Sequence, residues 1–444
     1  PLRYVDDPAS RALALQIESN YRNANFLVVV SRDLLDMLMP EVAPMIEPIR
    51  ERILGAAVRG RSRTVTDLRV RLVPDDARLR LAIEASGVVR TTTSADAGPA
   101  TLYSNGHAEY YVTKGVQLGV DGIQGAPSQV DVRGDVRLRD VETRFDGIPL
   151  LAPLVRNIVI NKHDEQRPIA RRDMTRRIES RVRERIEQDD DEQFRAANEQ
   201  LQTRFLEPLV DLGLDPRVIS AQTTDRRMTL RLRFASDRQL AAHTPRPRAP
   251  SDSVASAQLH ESVLNNVLDE LELGGRRFHI EELFQYVADQ FGFEAAPLSE
   301  DIPQDVYLTL APIQGVDVRF EDELVRLTLT MAKLEITPHT FHNFQVTAFF
   351  TPEIVDGIPQ FTRTGSLQLL APRMNRRQRL AVRGVFIKVF SKNRPWQLLP
   401  ESFVDDPRLA DLRISQFVVR DGWLGLALAP ASVRRPAAVA TLGR

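Results

Sequence analysis

The sequence predicts an α+β fold of two tandem domains, each a curved antiparallel sheet packed on long helices. Three observations carry that prediction. Apolar residues recur with a period of 3.6, switch to a period of 2, and return to 3.6. A proline-rich break at residues 243–256 divides the chain. Two hairpin-like segments match without a gap when Val70 is set against Val318, an offset of 248 residues. The 444 residues exceed one ordinary domain at roughly 150 residues each. Their 59 basic and 60 acidic side chains leave a net charge of -1, which argues against a disordered chain, a polyanion-binding basic protein or an acidic tail. With no cysteine there is no disulfide, no thiolate nucleophile and no Cys-ligated metal.

In the first half, residues 1–242, Ser31 is placed to cap a helix carrying Leu34, Leu35, Leu38, Val42, Met45, Ile46, Ile49 and Ile53 at three- and four-residue spacing. Pro40, Pro44 and Pro48 should kink or divide it. Residues 64–145 then read as strands: Val130, Val132, Val136 and Leu138 point one way, and Asp131, Arg133, Asp135, Arg137 and Arg139 the other. That is a sheet covered on one face, since the buried strands of a doubly wound parallel sheet read as continuous aliphatic runs. From Pro168 to Leu212 the period is helical again. Met174, Ile178, Val182 and Ile186 stand four apart, followed by Phe194, Leu201, Phe205 and Leu209. Residues 228–234 alternate and close the half.

After the linker at 243–256, the second domain, 257–444, has the same order in shorter form. One helix carries Leu259, Val263, Val267 and Leu271 and ends at Gly274, and a second carries Leu283, Phe284, Val287 and Phe291. Strands are expected at residues 344–350 and 380–390, a short helical piece at 398–403, and a closing hairpin through Asp421. Residues 421–428 resemble 225–232 at the end of the first half, and Asp-Gly-Ile-Pro stands at both 146–149 and 356–359. The longest aliphatic runs, such as Phe26 to Val30, are far short of the ~20 apolar residues of a bilayer-crossing helix. The sequence begins at Pro1, as a processed chain or a fragment would, and an extracytoplasmic setting, periplasmic or secreted, is the preferred localisation.

Catalytic and metal motifs are thin. His339 and His342, three apart beside Pro338, fall on opposite faces of a strand. Residues 189–192 lack the alternating ligands and turn glycine of a calcium loop. The arginines between 171 and 185 are offset by Glu179, Glu184 and Glu187, which reads as a salt-bridged helix face and not a nucleic-acid surface. No phosphate loop, nucleophile elbow or metalloprotease helix is present. No catalytic residue, metal ligand or cofactor is therefore assigned, and the chain is expected not to be an enzyme. A hydrolase with a dispersed site is the least favoured reading.

With these elements in place, the layout resembles the tubular lipid-binding superfamily, which includes the bactericidal permeability-increasing proteins. The resemblance rests on the helix from Ser31, the hairpins at Val70 to Leu81 and Val318 to Leu329, the long helix from Pro168, and the two-domain length. It implies strongly curved sheets wrapped around long helices, each leaving an apolar tube. The disulfide of the bactericidal members has no counterpart here, and two short helices stand where the second long one is expected. The resemblance further implies that Leu79, Leu81 and Ile83 in the first domain, and Leu327, Leu329 and Met331 in the second, face the helices and line the cavity. The expected function is non-enzymatic binding or transfer of lipid or another long apolar ligand. The expected partners are that ligand and a membrane surface, with no nucleic acid. The alternative is a structural or protein-interaction module of the cell envelope whose cores are closed.

Overall fold

The computed structural model describes residues 7–10, 13, 23–53, 55–98, 100–119, 122–148, 151–203, 207, 210, 212–214, 216–290, 305–399 and 406–431. The fold is mixed α+β with strongly bent antiparallel sheets, as the alternation requires. It forms two compact units. The smaller comprises Leu38–Pro74 and Arg80–Asn198, and the larger comprises Pro1–Met37, Asp75–Leu79 and Glu199–Arg444.

In the smaller unit one sheet is built from β2 (Met45–Ile53), β3 (Ala56–Leu72), β4 (Leu79–Asp96), β5 (Ala100–Gly119) and β6 (Gly122–Gly125) in that order, with β7 (Gln129–Thr143) also paired to β5. The strands are long, and β3 and β5 keep one face buried or half-buried over most of their length. In β5 the odd members Glu109 and Tyr111 face solvent while Ala108, Tyr110 and Val112 are buried. A helix, α2 (Ala152–Leu201), runs against this sheet. It begins well before Pro168, which sits exposed inside it.

The larger unit holds two sheets. One has the order β18-β19-β10-β1-β9-β8, from β1 (Phe26–Ser31), β8 (Arg217–Thr223), β9 (Arg227–Arg233), β10 (Ala255–His260), β18 (Leu412–Arg420) and β19 (Trp423–Pro430). Each half of the chain supplies the same set: a strand leading into a helix, and a closing hairpin. β1 enters α1 (Arg32–Leu38) and β10 enters α3 (Glu261–Glu270), and the two strands pair antiparallel at the centre, Val28 opposite Ala257. Both helices are capped from the strand: the Leu34 N–H donates to Ser31 Oγ at 3.2 Å, and the Ser262 N–H to His260 Nδ1 at 3.1 Å.

The second sheet runs β11 (Arg277–His279), β12 (Val306–Leu310), β14 (Leu324–Ile336), β15 (His339–Val355), β16 (Ile358–Leu370) and β17 (Trp396–Gln397), with β13 (Val316–Glu321) beside β14. It is covered by α3, α4 (Ile280–Gln290) and α5 (Arg376–Val389) around a core that includes Leu310, Met331, Leu334, Phe344, Val382 and Phe386.

Three sequence expectations change. Residues 45–53 form an edge strand and not a helix. Pro48 cannot donate to a ladder and is tolerated at an edge, while Met45, Glu47, Ile49, Glu51 and Ile53 alternate inward. Residues 380–390, expected as a strand, fall in α5 and its cap, because Asn375 and Gln378 form a reciprocal capping box that starts a helix. Leu259 lies in β10, ahead of its expected helix. Residues 243–256 are the stretch expected as a linker. That stretch lies against the six-stranded sheet, and its proline-rich backbone offers carbonyls to side chains: Trp423 Nε1 donates to Thr244 O at 3.1 Å, Gln258 Nε2 to Pro247 O at 2.6 Å, and Gln416 Nε2 to Arg248 O at 3.2 Å. Phe205, Leu209 and Phe291, and most of the piece at 398–403, lie outside the described residues.

Candidate functional site

The candidate site is the inner face of the smaller unit's sheet and the apolar seam of α2 against it. Side-chain alternation sets which strand residues face the helix. Leu68 of β3, Ala85 and Val89 of β4, Ala108, Tyr110 and Val112 of β5, and Val130 and Val132 of β7 form one apolar surface with Met174, Ile178, Val182 and Ile186. The four-residue spacing of the helix residues keeps them in one narrow row. This seam is the one legible in the sequence.

Glycines set where the helix can approach. A Cβ on Gly134 would stand 3.0 Å from Met174 Cε, and one on Gly125 would stand 2.9 Å from the Phe194 ring, so these two helix residues seat directly on strand backbone. Met174 and Phe194 are twenty positions apart, about 30 Å along a helix. Between them Ile178, Val182 and Ile186 stay only partly buried. Elsewhere on the same face Tyr110 lies over Gly87, where a Cβ would meet the ring at 2.3 Å, and its hydroxyl shares a 2.5 Å hydrogen bond with Thr66. Burial holds the Tyr110 phenol above its ordinary pKa, against the Thr66 bond. Lys114 is buried with its ammonium 5.4 Å from the Phe194 ring centre, a cation–π contact beside the second seat.

The ion pairs were not legible in the sequence. Glu51 of β2 accepts from Arg177 at 3.0 Å and also pairs with Arg181, and Glu47 pairs with Arg185 at 3.4 Å. Four strand residues from Glu47 to Glu51 span about 13 Å, and eight helix residues from Arg177 to Arg185 about 12 Å, so the two rows are in step. Asp173 holds Arg177 further, raising its pKa, with Glu51 adding to the effect. On β7, Asp135 accepts from Arg167 at 2.8 Å. Burial opposes ionisation of Asp135, but the Val136 N–H, Arg167 and Arg171 together outweigh it and hold the carboxyl below its usual range. One helix thus ties two strands, β2 and β7, that lie at opposite ends of the sheet's pairing order. The signal that could have revealed this is the match between arginines at four-residue spacing and glutamates four apart on an alternating strand.

The expected lining residues are distributed as follows. Leu81 and Ile83 face inward opposite Leu72 and Val70, Leu81 buried and Ile83 half-buried, and Leu79 is buried at the start of β4. Met331 is 1% exposed and packs into the larger unit's core opposite Phe344, with Leu327 and Leu329 partly buried against the same core. The structure therefore brings the β4 group onto the sheet that carries α2, and the β14 group into or against the larger unit's core.

Two depressions lie elsewhere. One of about 560 Å³ is on the solvent face of the smaller unit's sheet, between Asp67, Glu109, Tyr111, Asp131 and Arg133. The other, about 430 Å³, lies in the larger unit around Asp269, Glu272 and Arg276, where burial first and Asp317 second push the Asp269 carboxyl up. Among the described residues no group of three or more His, Asp or Glu side chains is arranged to hold a metal ion, and no helix is long and apolar enough to cross a membrane. His339 and His342 are exposed on β15.

With this geometry the chain belongs to the class of sheet-rich α+β proteins in which bent antiparallel sheets pack on helices. No protein-family model matches it, and no curated protein sequence matches it. Among solved structures it is similar to the crystal structure of lipopolysaccharide binding protein, at 12% identity and a TM-score of 0.32, covering 93% of this chain and 100% of that one. It is also similar to the crystal structure of P47 of Clostridium botulinum E1, at 8% identity and a TM-score of 0.27, again covering 93% and 100%. The functional reading rests on the chain's own geometry.

Proposed function

We propose that the protein is a non-catalytic binder or carrier of lipid or another long apolar ligand, held along the α2 seam of the smaller unit. The observation that supports this is the half-buried state of Ile178, Val182 and Ile186 between the two glycine seats, facing Val130, Val132 and Leu68. A row of aliphatic side chains left partly accessible costs roughly 25 cal/mol for each Å² that stays in contact with water. An extended hydrocarbon chain laid in the row removes that cost and needs no polar group in register. The polar groups at its borders, Glu51 with its arginines and Lys114, are already partnered, which suits an apolar occupant.

The alternative, a structural or interaction module of the cell envelope, is favoured for the larger unit. There Phe350 stacks on Trp396 with ring centres 4.3 Å apart, and Phe386 and Phe390 fill the space beneath α5. The two readings combine in one protein, a ligand-holding unit and a packed one.

The test is mass spectrometry of organic extracts of the purified full chain, together with binding of a fluorescent fatty acid. Wild-type protein should carry lipid and bind the probe, and Val182→Trp, which fills the row, should lower probe binding about tenfold or more. Absence of extracted lipid together with no probe binding would overturn the proposal, as would unchanged binding in Val182→Trp.

A further inference from the structure

Residues 372–396 carry eight basic side chains and no acidic one, in a chain whose net charge is -1. The segment is built on α5, and the helix sets how these charges are arranged. Val382, Val385 and Phe386 are buried and Val389 packs on the same core. The opposite face is open. Leu380 and Ile387, seven residues apart and so nearly superposed down the helix, are 71% and 45% exposed at its centre. Arg376 and Arg383 lie along one side of that pair and Arg377 and Lys388 along the other, all exposed.

This differs from Arg177, Arg181 and Arg185 of α2, which are committed to Glu47, Glu51 and Asp173. Among the described residues the Arg379 and Arg383 guanidiniums of α5 donate only to the carbonyls of Met374 and Leu367, and Arg376 and Arg377 have no acidic partner. Arg376, Arg377, Arg379 and Arg383, four like charges on two turns of helix, repel one another, an arrangement that an anionic partner relieves.

We propose that the solvent face of α5 docks the larger unit on a bilayer surface bearing anionic headgroups. Charge complementarity selects a polyanionic surface, and the apolar ridge selects lipid among such surfaces. Leu380 and Ile387 enter the boundary between headgroups and acyl chains while the flanking guanidiniums meet phosphates. A nucleic-acid backbone would instead set the two aliphatic side chains against phosphate oxygens.

The full chain is to be co-sedimented with vesicles of phosphatidylcholine alone and of phosphatidylcholine mixed with phosphatidylglycerol, at low and high salt. Two double variants at exposed positions are compared with it: Arg376→Glu with Arg377→Glu, and Leu380→Ser with Ile387→Ser. Binding is expected only with phosphatidylglycerol, weakened by salt, about tenfold or more weaker in the charge variant, and several-fold weaker in the apolar variant. Equal binding to both vesicle types, or unchanged binding in either variant, would overturn the proposal. So would absence of vesicle binding alongside salt-sensitive binding of a DNA duplex that the Leu380→Ser, Ile387→Ser protein retains.

Discussion

The two units bury apolar surface in different ways. In the smaller, a fifty-residue helix offers a seam one side chain wide, every fourth residue, and meets the sheet closely where glycine lets it down onto the backbone. Its closure is largely polar, through Glu47, Glu51 and Asp135 to arginines of the helix. In the larger, three helices of ten to fourteen residues carry broader apolar faces, and their aromatic and aliphatic side chains interlock with those of the sheet. The difference teaches that sheets of similar alternation bury a narrow or a broad apolar helix face according to the helix laid on them. A narrow seam leaves room beside it; a wide face does not.

The sharpest way to break the comparison is to cut into the packed unit. Phe386→Ala removes a side chain that is 1% exposed and touches Phe344 and Phe390, and it should destabilise the larger unit by about 3–5 kcal/mol in chemical denaturation. A cost below about 1 kcal/mol would mean that this core is as open as the α2 row.

Next in size is a pH effect in the larger unit. His260 is buried at the junction of β10 and α3, between His243 and Trp423, and its pKa is pushed down to about 4 by burial first, then by His243 and Arg319. Its Nδ1 accepts the Ser262 N–H, so protonation there also removes the helix cap. The unfolded chain takes up this proton near pH 6.5, before the folded one does. The stability that depends on neutral His260 is therefore fully present above about pH 6.5 and is lost as pH falls toward 4, by about 3 kcal/mol. Denaturation midpoints across that range, repeated on His260→Gln, isolate the term, and an identical pH profile in the variant would refute it.

The smallest expected effect is in the smaller unit. Glu51→Gln weakens two ion pairs whose arginines are about half exposed, and it should cost about 1 kcal/mol or less, shrinking further at high salt. A larger, salt-independent loss would show that the tie between β2 and α2 governs closure of the unit more than the glycine seats do.

Much of this was legible in residue order, and the reasons are local. Val130 to Leu138 alternate, and they form a strand. Met174 to Ile186 recur every fourth residue, and they form the helix row of the candidate site. The alternation at Val70 and Val318 marks two hairpins that both form, the second turning through Asp322 and Glu323 in left-handed backbone conformation. Residues 45–53 and 380–390 misled for a common reason, since a short apolar run fits either period. Pro48 at a sheet edge and the Asn375 cap then decided each case.

The sequence by itself determined the succession of periods, the helix row that faces the smaller sheet and the absence of cysteine chemistry, because each is a property of neighbours along the chain. Only the tertiary structure decided that β1 pairs with β10 across more than two hundred residues, that Glu51 meets Arg177, and that the basic residues of α5 surround an exposed apolar ridge. Such pairings depend on which surfaces remain to be covered once the local elements have formed, and no local pattern records that.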